Sequence, residues 1–304
     1  MRAAIISDGR LEIEERPDPE PGDGELLVRI RAAGINGADL AQRAGGYPAP
    51  PGAPPDIPGL ECAGEVVALG RGVRDFAVGD RVVALLGGGG HAELATVHER
   101  HALGAPTRFS DAEAGGFMEV FATAHDALFA QAGLAAGERL LVRGAAGGVG
   151  CAGVQLGVAA GARVTALARH SAERLEALGA DTSVEGEYDV ILELVGGDHV
   201  ADDLGRLAVG GRIVVIGMSA GSRVTLELGL LMRARGRISS STLRARRLEE
   251  KAVVVQRVGR HVLPLVERGS VAVPVERTFP LEEAQAAYDA FAAGGKFGKL
   301  VLVV

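Results

Sequence analysis

The sequence is poor in cysteine, lysine and aromatic residues, and it has no excess of basic residues. Its two cysteines, Cys62 and Cys151, are far apart, which excludes a disulfide framework and a four-cysteine zinc lobe. A net charge of −7 and the lack of basic segments with interleaved aromatic residues argue against nucleic acid as a partner. No segment reaches the roughly 20 apolar residues of a membrane span, and the first residues do not form an apolar signal segment. We therefore expect a soluble, cytoplasmic protein with no membrane partner.

The character of the sequence changes twice along the chain, which predicts three segments. Residues 1–118 show short apolar runs and period-2 alternation between Gly, Pro and Asp turns, which is typical of a β-rich domain. Residues 119–264 alternate strand-like runs with helical stretches, which predicts a doubly wound parallel sheet. Residues 265–304 return to a strand, helix, strand pattern. The 304 residues are enough for two domains, and the fold class is α/β.

The strongest local motif is LLVRGAAGGVGCAGVQL at residues 140–156. A predicted strand, a turn of small residues and a predicted helix follow one another, as in a dinucleotide-binding turn with alanine in the first glycine position. Gly147 would let the backbone approach the pyrophosphate, and Gly150 would allow close packing of helix on strand. The phosphates would bind amide groups at the positive end of the helix. The turn residues predicted to bind the cofactor are Ala146, Gly147, Gly148, Val149 and Gly150.

The end of the second strand of this segment distinguishes between the two nicotinamide cofactors. Sites for NAD place an acidic residue there to bind the ribose 2′-hydroxyl. This chain has no acid there but Arg169 and Ser171, with Arg174 one turn further on. Guanidinium and hydroxyl groups suit a 2′-phosphate. We therefore predict NADPH as the cofactor, although Arg169 as an ordinary solvated surface residue is the alternative.

Several stretches, taken together, resemble the medium-chain dehydrogenase/reductase superfamily, and within it the zinc-free quinone oxidoreductases of the zeta-crystallin type. The resemblance runs nearly end to end and rests on AAGINGADLAQRAGGYP, IPGLECAGEVVALG, VGDRVVALLGGGGHAELATV, GAAGGVGCAGVQL, SSSTLRAR and GKFGKLVLVV. It implies a Rossmann doubly wound sheet inserted in a GroES-like catalytic domain, and it implies a homodimer formed through edge strands near residues 213–242.

The cluster of Glu61 and Cys62 raises the question of a metal site. Zinc-dependent relatives carry Gly-His-Glu where this chain has Gly59-Leu60-Glu61, and a cysteine near the position of Asn36. Leucine cannot bind zinc, and a catalytic zinc needs about three protein ligands. Neighbouring residues on a strand also point to opposite faces. We therefore predict no metal site and expect Cys62 to be a small buried residue.

The resemblance also implies site residues at the nicotinamide end. It places Asn36, Tyr47 and Thr123 at the nicotinamide and the substrate. Each of these residues also has a structural alternative: Asn36 as a turn residue, Tyr47 as a loop anchor under the proline run, and Thr123 as a residue at a helix start. For Lys299, which the resemblance places at the cofactor, the alternative is a surface charge. The further cofactor contacts that the resemblance implies are Gly217, Met218, Leu243, Arg244, Phe297 and Lys299.

The implied activity is transfer of hydride or electrons from NADPH to a quinone without a metal. Two alternatives remain open: reduction of an enone by an alkene reductase with Tyr47 as proton donor, and a nucleotide-binding protein without activity. The chain departs from the family pattern at His91, Met118, His125 and Glu193, which puts the acceptor in doubt. We interpret the two histidines as residues that widen or polarise the substrate cleft.

Overall fold

The computed structural model describes residues 1–304, which form two compact units. Unit 1 comprises Met1–Val120 and Leu243–Val304, and unit 2 comprises Phe121–Thr242. Unit 2 is therefore an insertion in unit 1. The first boundary lies close to the predicted one at 118, whereas the second precedes the predicted one at 264. The reason is that the helical stretch after residue 247 packs on strands and turns of unit 1.

Strands and helices are numbered in chain order. The strands are β1 (Arg2–Ser7), β2 (Arg10–Glu15), β3 (Glu25–Gly34), β4 (Glu61–Leu69), β5 (Arg81–Leu85), β6 (Leu94–His98), β7 (Ala102–Gly104), β8 (Arg139–Arg143), β9 (Arg163–Leu167), β10 (Tyr188–Glu193), β11 (Leu207–Val215), β12 (Arg237–Ser240), β13 (Val275–Pro280) and β14 (Lys299–Val303). The helices are α1 (Gly37–Arg43), α2 (Asp111–Gly115), α3 (Met118–His125), α4 (Gly148–Ala159), α5 (Ala172–Ala177), α6 (His199–Leu204), α7 (Leu228–Ala234), α8 (Leu248–His261), α9 (Leu263–Glu267) and α10 (Ala284–Ala293). None of the helices is both long enough and apolar enough to cross a bilayer.

Unit 1 is built on a seven-stranded sheet with the order β13-β14-β3-β4-β5-β7, in which β6 also pairs with β3. The strands β3 and β4 alternate buried apolar and more accessible residues over part of their length, because only one face packs on the core. Val28, Ile30, Val66 and Val82 belong to this core, together with Cys62. The last strand, β14, lies inside the sheet, antiparallel to β3 and parallel to β13.

Unit 2 is a parallel five-stranded sheet with the order β12-β11-β10-β8-β9, as the alternating pattern predicts. Its central strands β8 and β10 are continuous apolar runs, because helices and loops cover both faces of the sheet. Arg143 is in register with Leu167 on one side and with Glu193 on the other, and Glu193 is in register with Val215. The loops that follow these four strands therefore leave the sheet at the same edge, where ligands bind in open α/β sheets.

Candidate active site

The dinucleotide turn joins β8 to α4 at the carboxyl edge of the unit 2 sheet. Gly144 has a φ of +79° and donates its N–H to the carbonyl of Leu167, at the end of β9. Gly147 is the N-cap of α4, and no side chain caps this helix. The first amide groups of a helix have no partner within it. They are therefore available to an anion, and the predicted strand, turn and helix are all present.

The two glycines that were predicted to have separate tasks differ in their surroundings. A Cβ atom on Gly150 would lie 2.5 Å from the carbonyl oxygen of Gly144 and 2.6 Å from the Cα atom of Ala145. Only glycine fits there without a shift of the backbone. A Cβ atom on Gly147 would meet nothing closer than 3.5 Å. The fold itself therefore does not require glycine at position 147. A pyrophosphate lying against the turn would require it, because a side chain there would occupy the space of the ligand. The turn thus fits a dinucleotide.

The segment predicted to bind a 2′-phosphate connects β9 to α5, beside the dinucleotide turn. Arg169 and Arg174 are exposed, and Ser171 has a φ of +69° at the N-terminus of α5. The hydroxyl of Ser171 is 2.8 Å from Nδ1 of His170. Arg169 and Ser171 thus lie on a short connection and Arg174 on the helix α5 that follows it, with no carboxylate at the end of β9. This set of groups suits a 2′-phosphate.

The loops after β10 and β11 complete this edge, and their glycines allow them to pack closely. A Cβ atom on Gly217 would lie 2.0 Å from the carbonyl oxygen of Leu194. One on Gly196 would lie 2.8 Å from the Cα atom of Met218, whose side chain is 63% exposed. Gly217 and Met218 therefore lie at the predicted edge, with the Met218 side chain open to a ligand.

The departure at Glu193 is explained by a buried cluster below this edge. One oxygen of Glu193, Oε1, accepts N–H groups from Val195 and Gly196, at 2.9 Å for Gly196, and so shapes the loop. The other, Oε2, is 3.2 Å from Nε of Arg143, which also donates to Asp203 at 2.9 Å. Burial, and then a hydrogen bond with Asp203, raise the pKa of Glu193 to about 8. Glu193 therefore keeps its proton at neutral pH, beside the Arg143–Asp203 ion pair.

In unit 1, Asn36 lies in a fully hydrogen-bonded network. Its Oδ1 accepts from the ammonium of Lys299 at 2.7 Å, and its Nδ2 donates to Oε1 of Glu61 at 3.0 Å and to the carbonyl of Gly34 at 3.3 Å. The Lys299 ammonium also donates to Glu61 at 2.7 Å and to the carbonyl of Ile35 at 2.9 Å. All three donors of Lys299 are engaged, and its side chain is 2% exposed. Lys299 is therefore not the surface charge of the alternative reading, and its cofactor contact stays a prediction.

The metal that zinc-dependent relatives carry does not fit these residues. Leu60 is buried and has no ligand atom, and Glu61 is bound to Lys299. Cys62 belongs to the apolar core, and burial raises the pKa of its thiol to about 12. Cys62 is thus a small buried residue, as expected. No three His, Cys, Asp or Glu side chains of the chain come together in a group that could hold a metal ion.

The half-buried Tyr47 lies on the proline-rich loop of unit 1, against Arg244. The guanidinium carbon of Arg244 is 5.1 Å from the centre of the Tyr47 ring, and Nη1 donates to the Tyr47 carbonyl at 2.8 Å. Burial and the charge of Glu119 raise the pKa of the Tyr47 phenol, and the Arg244 charge opposes them. Leu243 and Arg244, predicted to contact the cofactor, are buried in unit 1, where Arg244 holds the Tyr47 loop.

Four further residues singled out by the sequence analysis are also buried. Phe297 is 3% exposed in unit 1, and Thr123 is 8% exposed on α3 in unit 2. His91 is fully buried, with Nδ1 2.9 Å from the hydroxyl of Tyr288. The interpretation of His91 as a residue that polarises a substrate cleft is therefore wrong, because its ring is enclosed by unit 1. His125 is also buried, with its ring against Phe129.

Sequence reasoning missed three charged residues around these groups. Arg143 and Asp203 anchor Glu193, as described above. Glu119 lies in the first turn of α3, and burial, followed by the charges of Glu61 and Asp39, raises its pKa to about 7. The available signal was a charged residue inside an apolar run, as in LLVRG, because a buried charge needs a partner elsewhere in the chain.

A parallel sheet with a dinucleotide turn, inserted in a β-rich unit, defines an oxidoreductase of the nicotinamide-dependent type. Two family models match the chain: the alcohol dehydrogenase GroES-like domain over residues 22–130 and the zinc-binding dehydrogenase over residues 161–302. The chain belongs to the medium-chain dehydrogenase/reductase superfamily. The fold class and family that the sequence predicts are thus confirmed.

Individual relatives show how far the similarity extends. The chloroplastic quinone-oxidoreductase QR1 of Triphysaria versicolor is 31% identical over 321 residues, which cover 95% of this chain and 92% of that protein. The synaptic vesicle membrane protein VAT-1 homolog-like of Mus musculus is 34% identical over 240 residues, 72% of this chain and 57% of that protein. A crystal structure of an alcohol dehydrogenase superfamily protein from Novosphingobium aromaticivorans matches 100% of this chain and 99% of its own, with a TM-score of 0.90 and 31% identity.

The relatives differ greatly in length. The chain spans just over half of the mouse and human VAT-1 homolog-like proteins, 57% in each case. It spans 5% of a Streptomyces halstedii polyketide synthase and 15% of a Mycobacterium tuberculosis one, although the matches cover 93% and 100% of this chain. The same two-unit module thus occurs both alone and within much longer proteins.

Proposed function

We propose that the protein is a metal-independent, NADPH-dependent quinone reductase. The observation that carries the proposal is the network at Asn36. Where zinc-dependent relatives have metal ligands, this chain has a leucine, an amide and a carboxylate neutralised by Lys299. With no ligand set for a Lewis acid, the substrate itself has to be electrophilic, and a quinone is. The similarity to the Triphysaria quinone-oxidoreductase over nearly the full length supports the same activity.

The cofactor proposal rests on unit 2. The amides at the start of α4 bind the pyrophosphate, Gly147 gives it room, and Arg169, Ser171 and Arg174 bind the 2′-phosphate. A mycobacterial relative with the same fold was solved in complex with NADPH, although it is only 24% identical. When bound, NADPH supplies a hydride. The chain holds the cofactor at the carboxyl edge of the sheet.

The residues of unit 1 handle the substrate. Tyr47 donates a hydrogen bond, and then the one proton that the reduction requires, to an oxygen of the quinone; hydride and proton together give the hydroquinone, and solvent returns a proton to Tyr47. Asn36 is held rigidly by Lys299 and Glu61, and its contribution is to shape the site.

A second candidate function is reduction of an activated alkene with the same cofactor. The observation that favours it is the placement of Tyr47, a half-buried phenol beside a cation, since saturation of an enone requires a proton donor for the α-carbon.

The test is steady-state oxidation of NADPH, compared with NADH, by EDTA-treated protein. The acceptors are 1,4-benzoquinone, 9,10-phenanthrenequinone and an α,β-unsaturated ketone. Turnover of a quinone with NADPH that survives the chelator supports the proposal. Reduction of the enone alone favours the alkene reductase. If none of the three acceptors supports oxidation of NADPH, both proposals are rejected.

A further inference from the structure

A buried guanidinium in unit 1 is bound only to neutral acceptors. Arg244 is 4% exposed. Its Nε donates to the carbonyl of Gly87 at 2.8 Å, Nη1 to the carbonyl of Tyr47 at 2.8 Å, and Nη2 to Oε1 of Gln42 at 2.6 Å. Buried charges are usually paired with an opposite charge. Arg244 thus brings a positive charge, hydrogen-bonded to no carboxylate, to the place where these three segments meet. The charges of Asp39 and Glu119 act on it without a hydrogen bond.

One of these segments has little structure of its own. Tyr47 follows Gly45 and Gly46 and precedes a run of prolines, so no strand or helix holds it. The carbonyl bond and the ring contact with Arg244 fix both its main chain and its side chain. Gln42, which accepts from Arg244, also donates to the carbonyl of Pro55 at 3.1 Å and so ties the far end of the same loop.

The main chain of Arg244 is itself held by a second cation. The carbonyl of Arg244 accepts a hydrogen bond from the buried ammonium of Lys251, at 3.1 Å, on α8. A cation held over an aromatic ring within about 6 Å is attracted to it. The same charge stabilises the negative charge that grows on a phenol oxygen as it gives up its proton.

We propose that Arg244 is a positioning residue for Tyr47: its guanidinium holds the loop and the ring in place and supports the phenol as a proton donor. This inference rests on the proposed reductase function and deepens it. It assigns to Arg244 a task within unit 1 that differs from the cofactor contact expected from the sequence.

The first experiment needs no substrate. The chain has three tyrosines and no tryptophan. In a spectrophotometric titration of the folded protein, the step that belongs to Tyr47 is the one that Tyr47→Phe removes. In Arg244→Met this step should move to higher pH, whereas Arg244→Lys, which keeps a cation, should leave it closer to wild type. An unchanged midpoint in Arg244→Met overturns the electrostatic part of the proposal.

The second experiment is a double-mutant cycle on turnover. Tyr47→Phe should lower kcat about a hundredfold, as loss of a general acid does. Arg244→Met should lower kcat about tenfold or more through misplacement of the phenol, with little change in the KM for NADPH. In a Tyr47→Phe background, Arg244→Met should have almost no further effect. If Arg244→Met lowers kcat by the same factor in both backgrounds, the proposal is overturned. It is also overturned if Arg244→Met only raises the KM for NADPH and leaves kcat unchanged.

A matched control is Arg212→Met in unit 2. Arg212 also donates to main-chain carbonyls, those of Ala132, Gly133 and Asp189, but it has no contact with Tyr47. The Arg212→Met variant should have a lower free energy of unfolding than the wild type, but the midpoint of the Tyr47 titration step should stay unchanged. If the wild type reduces no acceptor, the proposed function fails, while the titration still decides whether Arg244 and Tyr47 are coupled.

Discussion

At the residue scale, the ammonium of Lys299 is the charge on which the Asn36 network depends. It lies between the amide of Asn36 and the carboxylate of Glu61, and all of these groups are buried. Removing one member of a buried ion pair leaves the other charge without compensation, whereas removing both can be nearly neutral. Stability is therefore a direct measure of this network.

Lys299→Met should lower the free energy of unfolding by about 3–5 kcal/mol, because the Glu61 carboxylate stays buried without a cation. Adding Glu61→Gln should restore part of the loss. Urea unfolding followed by circular dichroism measures both. Arg71→Met is the control, since its pair with Asp23 is exposed and contributes about 1 kcal/mol or less. Equal losses in the Lys299 and Arg71 variants would contradict the network.

The two arginines after β9 should decide the choice of cofactor. Replacing both Arg169 and Arg174 by alanine should raise the KM for NADPH about tenfold or more, since a hydrogen bond to a charged group contributes about 1.5–3 kcal/mol. The KM for NADH should hardly change, because NADH has no 2′-phosphate.

Steady-state kinetics with both cofactors checks this prediction. Arg163→Ala provides the control, because Arg163 is an exposed arginine at the opposite end of the same strand. A parallel loss with NADH would show that the two arginines do not bind the 2′-phosphate.

At the element scale, the connection from β8 to α4 separates the needs of the fold from those of the ligand. Gly150→Ala should destabilise the protein, because its Cβ atom would lie 2.5 Å from the Gly144 carbonyl oxygen. Gly147→Ala should leave the unfolding transition nearly unchanged and weaken the binding of NADPH. Thermal unfolding and a fluorescence titration of NADPH separate the two effects. If Gly147→Ala binds NADPH as the wild type does, the pyrophosphate does not lie against this turn.

The cluster below the same edge should make stability depend on pH. In the folded state the pKa of Glu193 is raised from 4.5 to about 8, so the folded protein keeps a proton that the unfolded chain releases between these values. The free energy of unfolding therefore falls as pH rises from about 5 to 8. Glu193→Gln removes this dependence, and its stability curve should be flatter in that range. Urea unfolding at several pH values tests this, with Glu65→Gln on the surface of unit 1 as control. If the free energy of unfolding changes with pH by the same slope in the wild type, Glu193→Gln and Glu65→Gln, the prediction is contradicted.

The central elements of unit 2 could be predicted closely, because β8 and β10 carry buried apolar runs and α4 follows a glycine turn. The partners of the charged residues could not. Glu61 and Lys299 are 238 positions apart, and Tyr47 and Arg244 are 197 apart. Pattern and spacing describe neighbours along the chain, and these bonds depend on how the whole of unit 1 closes. For that reason the sequence does not reveal that Arg244 holds the Tyr47 loop or that His91 lies beside Tyr288.

At the scale of the whole molecule, we propose that two copies associate through the open edge of the unit 2 sheet. β12 is the edge strand, and the nearby helix α7 has Leu228 64% exposed and Met232 77% exposed. A two-fold axis would bring the same edge of each copy together and cover these side chains. Light scattering after size exclusion should give twice the mass of 31.2 kDa, and Met232→Glu should shift the protein toward the monomer. Wild-type protein that stays at 31.2 kDa across concentrations would reject the dimer.

The position of β14 within the unit 1 sheet determines the order in which the molecule can form during synthesis. Unit 2 is contiguous, so it can fold as soon as residue 242 has left the ribosome. The unit 1 sheet has a gap between β3 and β13 until residues 299–303 arrive. Because the same strand carries Lys299, the buried carboxylate of Glu61 has no cation until then. In nascent chains stalled before residue 299, unit 2 should therefore resist protease, whereas β3 and β4 should be cleaved.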